Sequence, residues 1–204
     1  MSIQPKLKNK QRRIGLTGGI ASGKSTIAKY IKEYIDIPIL DADQYSKDLI
    51  KPKSNCYKKV TTYFGPQIVD QHSSENEINR ALLKKIIFEH SIHRSWIQNL
   101  LHPLIKEAMI ETCNKFDTNK ILLLVIPLLF EAKFTDLCTE IWLVKCPKDI
   151  QKKRLMKRNK ISDDEAEKII NLQLNFEDKS KFSDVILDNS DDKKVWMNTI
   201  QKLV

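Results

Sequence analysis

The sequence predicts an α/β fold with a mainly parallel sheet in three α/β/α layers, and three observations predict it. Short apolar runs alternate with segments of helical periodicity along the chain. The run Ile121-Leu122-Leu123-Leu124-Val125-Ile126 has no polar alternation, as a parallel strand covered on both faces requires. Four of the five glycines, Gly15, Gly18, Gly19 and Gly23, fall within nine residues of one another, between a strand pattern and a helix pattern. Glycine permits positive φ and close backbone approach, so the cluster marks a site before any motif is consulted.

The elements follow in order. Residues 13–17 form a strand that enters Gly18, and residues 25–35 follow with Ile27, Ile31, Tyr34 and Ile35 at helical spacing. Residues 37–40 read as a second short strand that ends in Asp41-Ala42-Asp43. From 44 to 116 the patterns are mostly helical, with a polar loop near 71–76, which makes this stretch a helical insertion. Strands return at 121–126 and 140–146, a charged helical stretch lies between Pro147 and Phe182, residues 184–188 form a last strand, and 195–203 a closing helix. The resulting organisation is a basic extension over 1–12, a core built from 13–43 with 117–146 and 183–204, an insertion at 44–116, and a separate charged segment at 147–182.

Composition excludes several classes. The 204 residues are 41% apolar and 30% charged, ordinary for a globular protein. The longest apolar run, residues 121–130, is half the length a membrane span needs and is broken by Pro127. The leader carries Lys6, Lys8, Lys10, Arg12 and Arg13 but no apolar core of a secretory signal, so a cytoplasmic address is expected. Cys56, Cys113, Cys138 and Cys146 lack metal or redox spacing and are expected as free thiols, and His90 and His93 as surface helix residues. The net charge of +9 suits an anionic partner, although a lysine-rich surface alone would give the same count.

Gly18-Gly19-Ile20-Ala21-Ser22-Gly23-Lys24-Ser25 fits the phosphate-binding P-loop, between the strand and helix the motif demands. Its backbone N–H groups and the helix N-terminus hold the α- and β-phosphates of ATP; Lys24 reaches the β- and γ-phosphates, Ser25 ligates Mg²⁺, and Thr26 completes the binding segment. The fold is therefore expected to be P-loop NTPase-like. A switch GTPase is excluded, because no Asp-x-x-Gly follows the loop and Asn159-Lys160-Ile161-Ser162 lacks the base-reading Asp.

Asp41 and Asp43 stand at the carboxyl end of the second strand, where α/β sheets bind ligands, and a spacing of two on extended chain puts both on one face. Asp43 is then the carboxylate that orients or deprotonates an attacking hydroxyl, while Asp41 holds Mg²⁺ through water. The alternative for either is a helix cap near Gln44. In the basic segment 151–158, Arg154 and Arg158 lie one turn apart; a mobile lid needs an arginine over the transferring phosphoryl group, and Arg154 is favoured, the alternative being a solvated surface.

These residues resemble the dephospho-CoA kinase family. The likeness rests on the loop from Leu16 to Thr26, Asp41-Ala42-Asp43, Phe64-Gly65, Ile78-Asn79-Arg80, Leu101-His102-Pro103, Pro127-Leu128-Leu129-Phe130-Glu131, Lys153-Arg154-Leu155, Gln173, Lys179 and the segment from Asp184 to Asn189, and it spans about residues 13–204. It implies ATP-dependent phosphorylation of the ribose 3′-hydroxyl of dephospho-CoA, giving CoA and ADP. It further implies a nucleotide-binding core, a CoA-binding domain at 44–116 and a lid at 147–182, with Arg80, His102 and Glu131 on the acceptor side beside Asp43. His102 could instead pack or cap before Pro103. The partners implied are ATP and dephospho-CoA, with no nucleic acid and no membrane, and a monomer is favoured. A nucleoside or nucleoside-monophosphate kinase would keep the loop and change the acceptor.

The chain departs from the family in places. Members often carry Pro-Gly where Lys51-Pro52-Lys53 stands, and Lys takes positive φ at a cost, so this turn is expected to differ. Phe176 stands where some members have an arginine, and no role attaches to the basic leader.

Overall fold

The computed structural model describes residues 11–204, so the leader expected at 1–12 lies outside the described residues except for its last two. The chain divides into two compact units. One comprises the chain up to Asp41 together with Cys113–Val204, and the other is Ala42–Thr112.

The first unit is built on a five-stranded sheet in the order β2-β3-β1-β4-β5. Its strands are β1 (Arg12–Gly18), β2 (Ile39–Asp41), β3 (Ile121–Val125), β4 (Glu140–Lys145) and β5 (Val185–Asp188). Every pairing is parallel, with Leu16 opposite Val125 on one side and Trp142 on the other. β1 starts one residue earlier than its pattern suggests because Arg12 joins the register opposite Ile121 and its Nε lies 2.5 Å from Glu140 Oε1. β2 starts later because Pro38 has no N–H for a ladder; its carbonyl accepts from Leu123 N at 2.9 Å instead.

Helices α1 (Lys24–Tyr34) and α9 (Lys193–Leu203) pack on this sheet. Ile27 and Ile31 from α1 and Trp196 and Ile200 from α9 join Ile14, Leu16, Trp142, Val144 and Leu187 in one buried cluster. The remaining helices of the unit are α6 (Lys148–Asn159), α7 (Asp163–Ile170) and the short α8 (Phe176–Ser180). Gly15 sits mid-strand for packing alone: a Cβ there would lie 2.5 Å from Cys138 Sγ and 2.8 Å from Leu129 Cδ1. The four cysteines are free thiols, and burial pushes that of Cys138 up to about 12.

The second unit holds α2 (Ala42–Leu49), α3 (Asn55–Phe64), α4 (Arg80–Glu89) and most of α5 (Ser91–Cys113). Tyr63 and Trp96 stack with centroids 3.8 Å apart, and the polar stretch expected near 71–76 is closed by an isolated Val69–Ile78 bridge. His93 is not a plain surface helix residue: its Nδ1 lies 3.0 Å from the Tyr63 hydroxyl.

Two expectations are corrected. α2 begins at Ala42, not near Gln44, so Asp41 ends a strand while Asp43 lies in the first turn of a helix, and the strand-face argument that joined the two carboxylates does not hold. The α2–α3 turn does not avoid left-handed backbone either, since Lys53 has φ 71°. The turn is fixed from both sides, by Ser54 N donating to Lys51 O at 3.2 Å and Ser54 Oγ donating to Leu49 O at 2.7 Å. Lys53 therefore carries a strain of about 1–2 kcal/mol. Replacing it by glycine relieves that strain but adds about 0.5–1 kcal/mol of unfolded-state entropy. Lys53→Gly is expected to raise the urea midpoint modestly with an unchanged m-value; a lower midpoint would show that the turn is unstrained.

Candidate active site

The C-terminal end of β1 and the start of α1 bracket the phosphate loop. Left-handed or otherwise glycine-favouring backbone occurs at Gly18 (φ 152°), Ala21 (φ 58°) and Gly23 (φ 100°), and Ser22 N closes an inner turn on Gly19 O at 3.1 Å. Gly23 caps α1 with no side chain, and the first turn holds no acidic residue. The positive end of the helix is thus presented to the loop with no carboxylate in its own first turn, the arrangement that favours a phosphate. Lys24 arches back, its Nζ donating to Gly18 O at 2.7 Å and Gly19 O at 2.9 Å. Ser25 and Thr26 are exposed at the helix start.

A second requirement at Gly23 comes from Asn189, just after β5. A Cβ at Gly23 would run into Asn189 Nδ2. Asn189 is buried, donates to Ser22 O at 2.8 Å and accepts from Trp196 Nε1 at 3.1 Å. The loop is therefore tied to the far edge of the sheet through a single side chain.

Two groups from the 147–182 segment reach the loop. Arg154 on α6 directs Nη1 to Ser22 O at 3.5 Å and Nη2 to Asn189 O at 3.4 Å, and it also contacts Cys146 Sγ at 3.4 Å. Arg158, one turn on, bonds its own neighbour Asn159 instead. Gln173, on the α7–α8 connector, accepts from Ile20 N at 2.7 Å. A cleft of about 620 Å³ lies here, lined by Gly19, Cys146, Gln151, Gln173, Leu174 and Lys179 among others.

Glu131 faces this segment. Its Oε1 accepts from Leu174 N at 3.0 Å and lies 2.9 Å from Lys179 Nζ, whose side chain is only 1% exposed. The ammonium makes no aligned hydrogen bond, so charge holds the pair, and Glu131 Oε2 is buried with no partner of its own. The charged helices are closed on each other by Lys148 and Lys152 with Glu167 and by Lys152 with Asp163.

The other expected residues lie on the helical unit. Asp43 is in the first turn of α2. Arg80 opens α4 behind the cap Asn79, whose Oδ1 accepts from Leu82 N at 3.0 Å. Arg80 stands close enough to Asp48 to add to the lowering of that carboxyl's pKa, which Lys51 dominates. His102 lies within α5 directly before Pro103, where burial holds its pKa below the ordinary value. Sequence reasoning gave no role to Asn189, Gln173 or Lys179, although all three lie among the segments that carry the resemblance.

Two consequences are measurable. Glu131→Gln leaves the Lys179 ammonium buried without its counter-charge and is expected to cost about 3–5 kcal/mol in urea unfolding, with Glu131→Gln/Lys179→Met recovering most of it. Equal stability of the single variant would show that the pair holds nothing. Burial holds the pKa of folded His102 below that of the unfolded chain, near 6.5, so the unfolded chain binds the proton more readily and native stability falls as pH drops from about 6.5 towards the folded value. His102→Gln removes that component; the stability difference from the parent protein should be flat above about pH 7 and shift in the variant's favour towards pH 5.

The dephospho-CoA kinase family model matches residues 12–194. Dephospho-CoA kinase of Prochlorococcus marinus subsp. pastoris is 88% identical over 204 residues, all of both chains. Dephospho-CoA kinase from Campylobacter jejuni superposes with a TM-score of 0.67 at 25% identity, covering 94% of this chain and 96% of that one. The crystal structure of TT1252 from Thermus thermophilus, at 24% identity, shares the fold with a TM-score of 0.77 over 95% and 96% of the two chains. With a family match over residues 12–194 and a relative 88% identical over its whole length, the chain belongs to the dephospho-CoA kinase family.

Proposed function

We propose that this protein transfers the γ-phosphoryl group of ATP to the ribose 3′-hydroxyl of dephospho-CoA, yielding CoA and ADP. The observation that carries the reading is the approach of Arg154 to the Ser22 carbonyl, which puts a lid guanidinium at the loop that holds phosphates. A loose phosphoryl-transfer transition state asks for positioning and charge rather than covalent chemistry, and this loop supplies both.

The loop segment 18–26 binds the triphosphate through its amides and the α1 N-terminus. Lys24 exchanges the Gly18 and Gly19 carbonyls for β- and γ-phosphate oxygens, and Arg154 neutralises charge on the group in transit. Asp43 orients the 3′-hydroxyl and takes its proton, with Arg80 and His102 on the acceptor side. Glu131 Oε2 keeps a buried acceptor for a donor on that substrate.

The hydroxyl of Ser25 and the carboxylate of Asp41, at the C-terminal end of β2, are hard oxygen donors suited to Mg²⁺. Among the described residues no group of three or more His, Cys, Asp or Glu that could hold a metal ion is found, and in the proposed reading the ion takes its other ligands from phosphate and water. When bound, it would neutralise phosphate charge. Among the described residues no helix is long and apolar enough to cross a membrane.

The test is ADP release from ATP and Mg²⁺ with dephospho-CoA, set against a panel of nucleosides and nucleoside monophosphates. Turnover is expected with dephospho-CoA alone, and turnover with a nucleotide instead would replace the acceptor assignment. Asp43→Asn should keep ATP binding and lose about 10²–10⁴ in kcat. Lys24→Ala should weaken nucleotide binding and transfer together.

A further inference from the structure

Ile20 N belongs to the phosphate loop, and its proton is held by Gln173 Oε1 at 2.7 Å. Lys24 Nζ rests on the carbonyls of Gly18 and Gly19, immediately before Ile20. Because the P-loop lysine serves the β- and γ-phosphates, Ile20 N–H lies at the terminal-phosphate end of the loop.

Gln173 is delivered to that amide by a fixed connector. Leu174 N is bound by Glu131 Oε1 at 3.0 Å, Gln173 N donates to Ile170 O at 3.2 Å, and Asn175 caps α8 by accepting from Asp178 N at 2.8 Å. The carboxamide therefore cannot drift away when it loses its partner.

One N–H has one proton to give. A phosphate oxygen is charged and forms a bond roughly twice as strong as a neutral carbonyl does, so it takes the Ile20 proton from Gln173. A carboxamide also carries two donors on Nε2, and its terminal torsion is broad and roughly two-fold. A half-turn in place then points a donor at the oxygen that displaced its acceptor.

We propose that Gln173 is a positioning residue for the terminal phosphoryl group, holding the Ile20 amide until a phosphate claims it and then donating to that phosphate. The exchange reports the terminal phosphate to the α7–α8 connector. Lysine would repel the loop lysine, and glutamate would accept from Ile20 but repel the phosphate; an amide, with an acceptor and two donors, serves both partners.

This inference rests on the phosphate-loop reading, and the experiment separates the two. Binding of ADP and of the β,γ-imido analogue of ATP, each with Mg²⁺, is measured by titration calorimetry for the parent protein, Gln173→Glu, Gln173→Ala and Lys24→Ala. Gln173→Glu is expected to weaken the analogue at least about tenfold while changing ADP affinity about threefold or less, because a charge-assisted donor is replaced by a repelling carboxylate. Gln173→Ala should lower the ratio of analogue to ADP affinity in the same direction but less, since it removes the competing carbonyl along with the donor. Both variants should unfold at the parent's urea midpoint to within about 0.5 M, given one exchanged hydrogen bond. Equal effects on the two nucleotides, or none, in whichever variant folds would overturn the proposal. Failure of the parent protein to bind either nucleotide would instead overturn the phosphate-loop reading on which it stands.

Discussion

The rest of the site depends on the contact between Gly23 and Asn189. Asn189 uses its whole polar complement: N donates to Lys145 O at 2.9 Å, Nδ2 to Ser22 O at 2.8 Å, Oδ1 accepts from Trp196 Nε1 at 3.1 Å and O from Arg154 at 3.4 Å. One buried residue thus joins β4, the phosphate loop, α9 and α6. Only a residue without Cβ at position 23 admits this approach, since any side chain there would displace the carboxamide. Loss of the carboxamide would leave the indole N–H of Trp196 buried without its acceptor, a penalty of about 1–3 kcal/mol. The sheet register supplies the other half of the constraint, because Lys145 opposite Asp188 is what brings the next residue to the loop.

Charges around that junction are organised by ion pairs in the surrounding frame. The first turn of α1 carries no acidic residue. Glu131, Glu167 and Asp163 are turned onto Lys179, Lys148 and Lys152. These ion pairs lock the helices of the 147–182 segment to one another and, through Glu131 and Lys179, to the loop after β3, while Lys24 and Arg154 lie against the phosphate loop. An excess of nine positive charges over the chain says little by itself. Locally, Lys24 and Arg154 are cations set against the loop, within the few ångströms over which a phosphate's field would be felt.

Much of this was legible in the sequence because it is local. A phosphate loop is a run of eight residues with its strand before it and its helix after it, and the uninterrupted apolar run at β3 needs no partner to be read. What was not legible is long-range. Glu131 finds Lys179 across 48 positions, and Ile20 meets Gln173 across 153. No periodicity encodes either pairing, so Glu131 was read towards the acceptor with no sign of its partner in the lid. The strand-face argument for the two aspartates does not hold for a different reason. Helix α2 starts within the very tripeptide that strand spacing was used to interpret, and a boundary error of two residues turns a face argument into a wrong one. Gly15, counted with the loop glycines, belongs to the packing of β1 against Leu129 and Cys138.

The loop's own polar groups set how a phosphate is received. The carbonyls of Gly18 and Gly19 are held by Lys24, that of Ser22 by Asn189, and the amide of Ile20 by Gln173. A phosphate that enters therefore exchanges partners instead of simply adding bonds, and its net affinity is the difference between new and surrendered contacts. The partners differ in how readily they yield. Arg154 touches Ser22 O and Asn189 O at 3.5 and 3.4 Å, near the limit of a useful hydrogen bond, and gives up little when it turns to a charged oxygen. Gln173 is neutral and gives up one ordinary bond. Asn189 is buried, and phosphate oxygens offer it nothing it does not already have, so it stays. The loop is in this way divided between a side anchored by Asn189 after β5 and a side whose amide and carbonyls are held by Gln173 and Lys24, and in the proposed reading the nucleotide is met by the second.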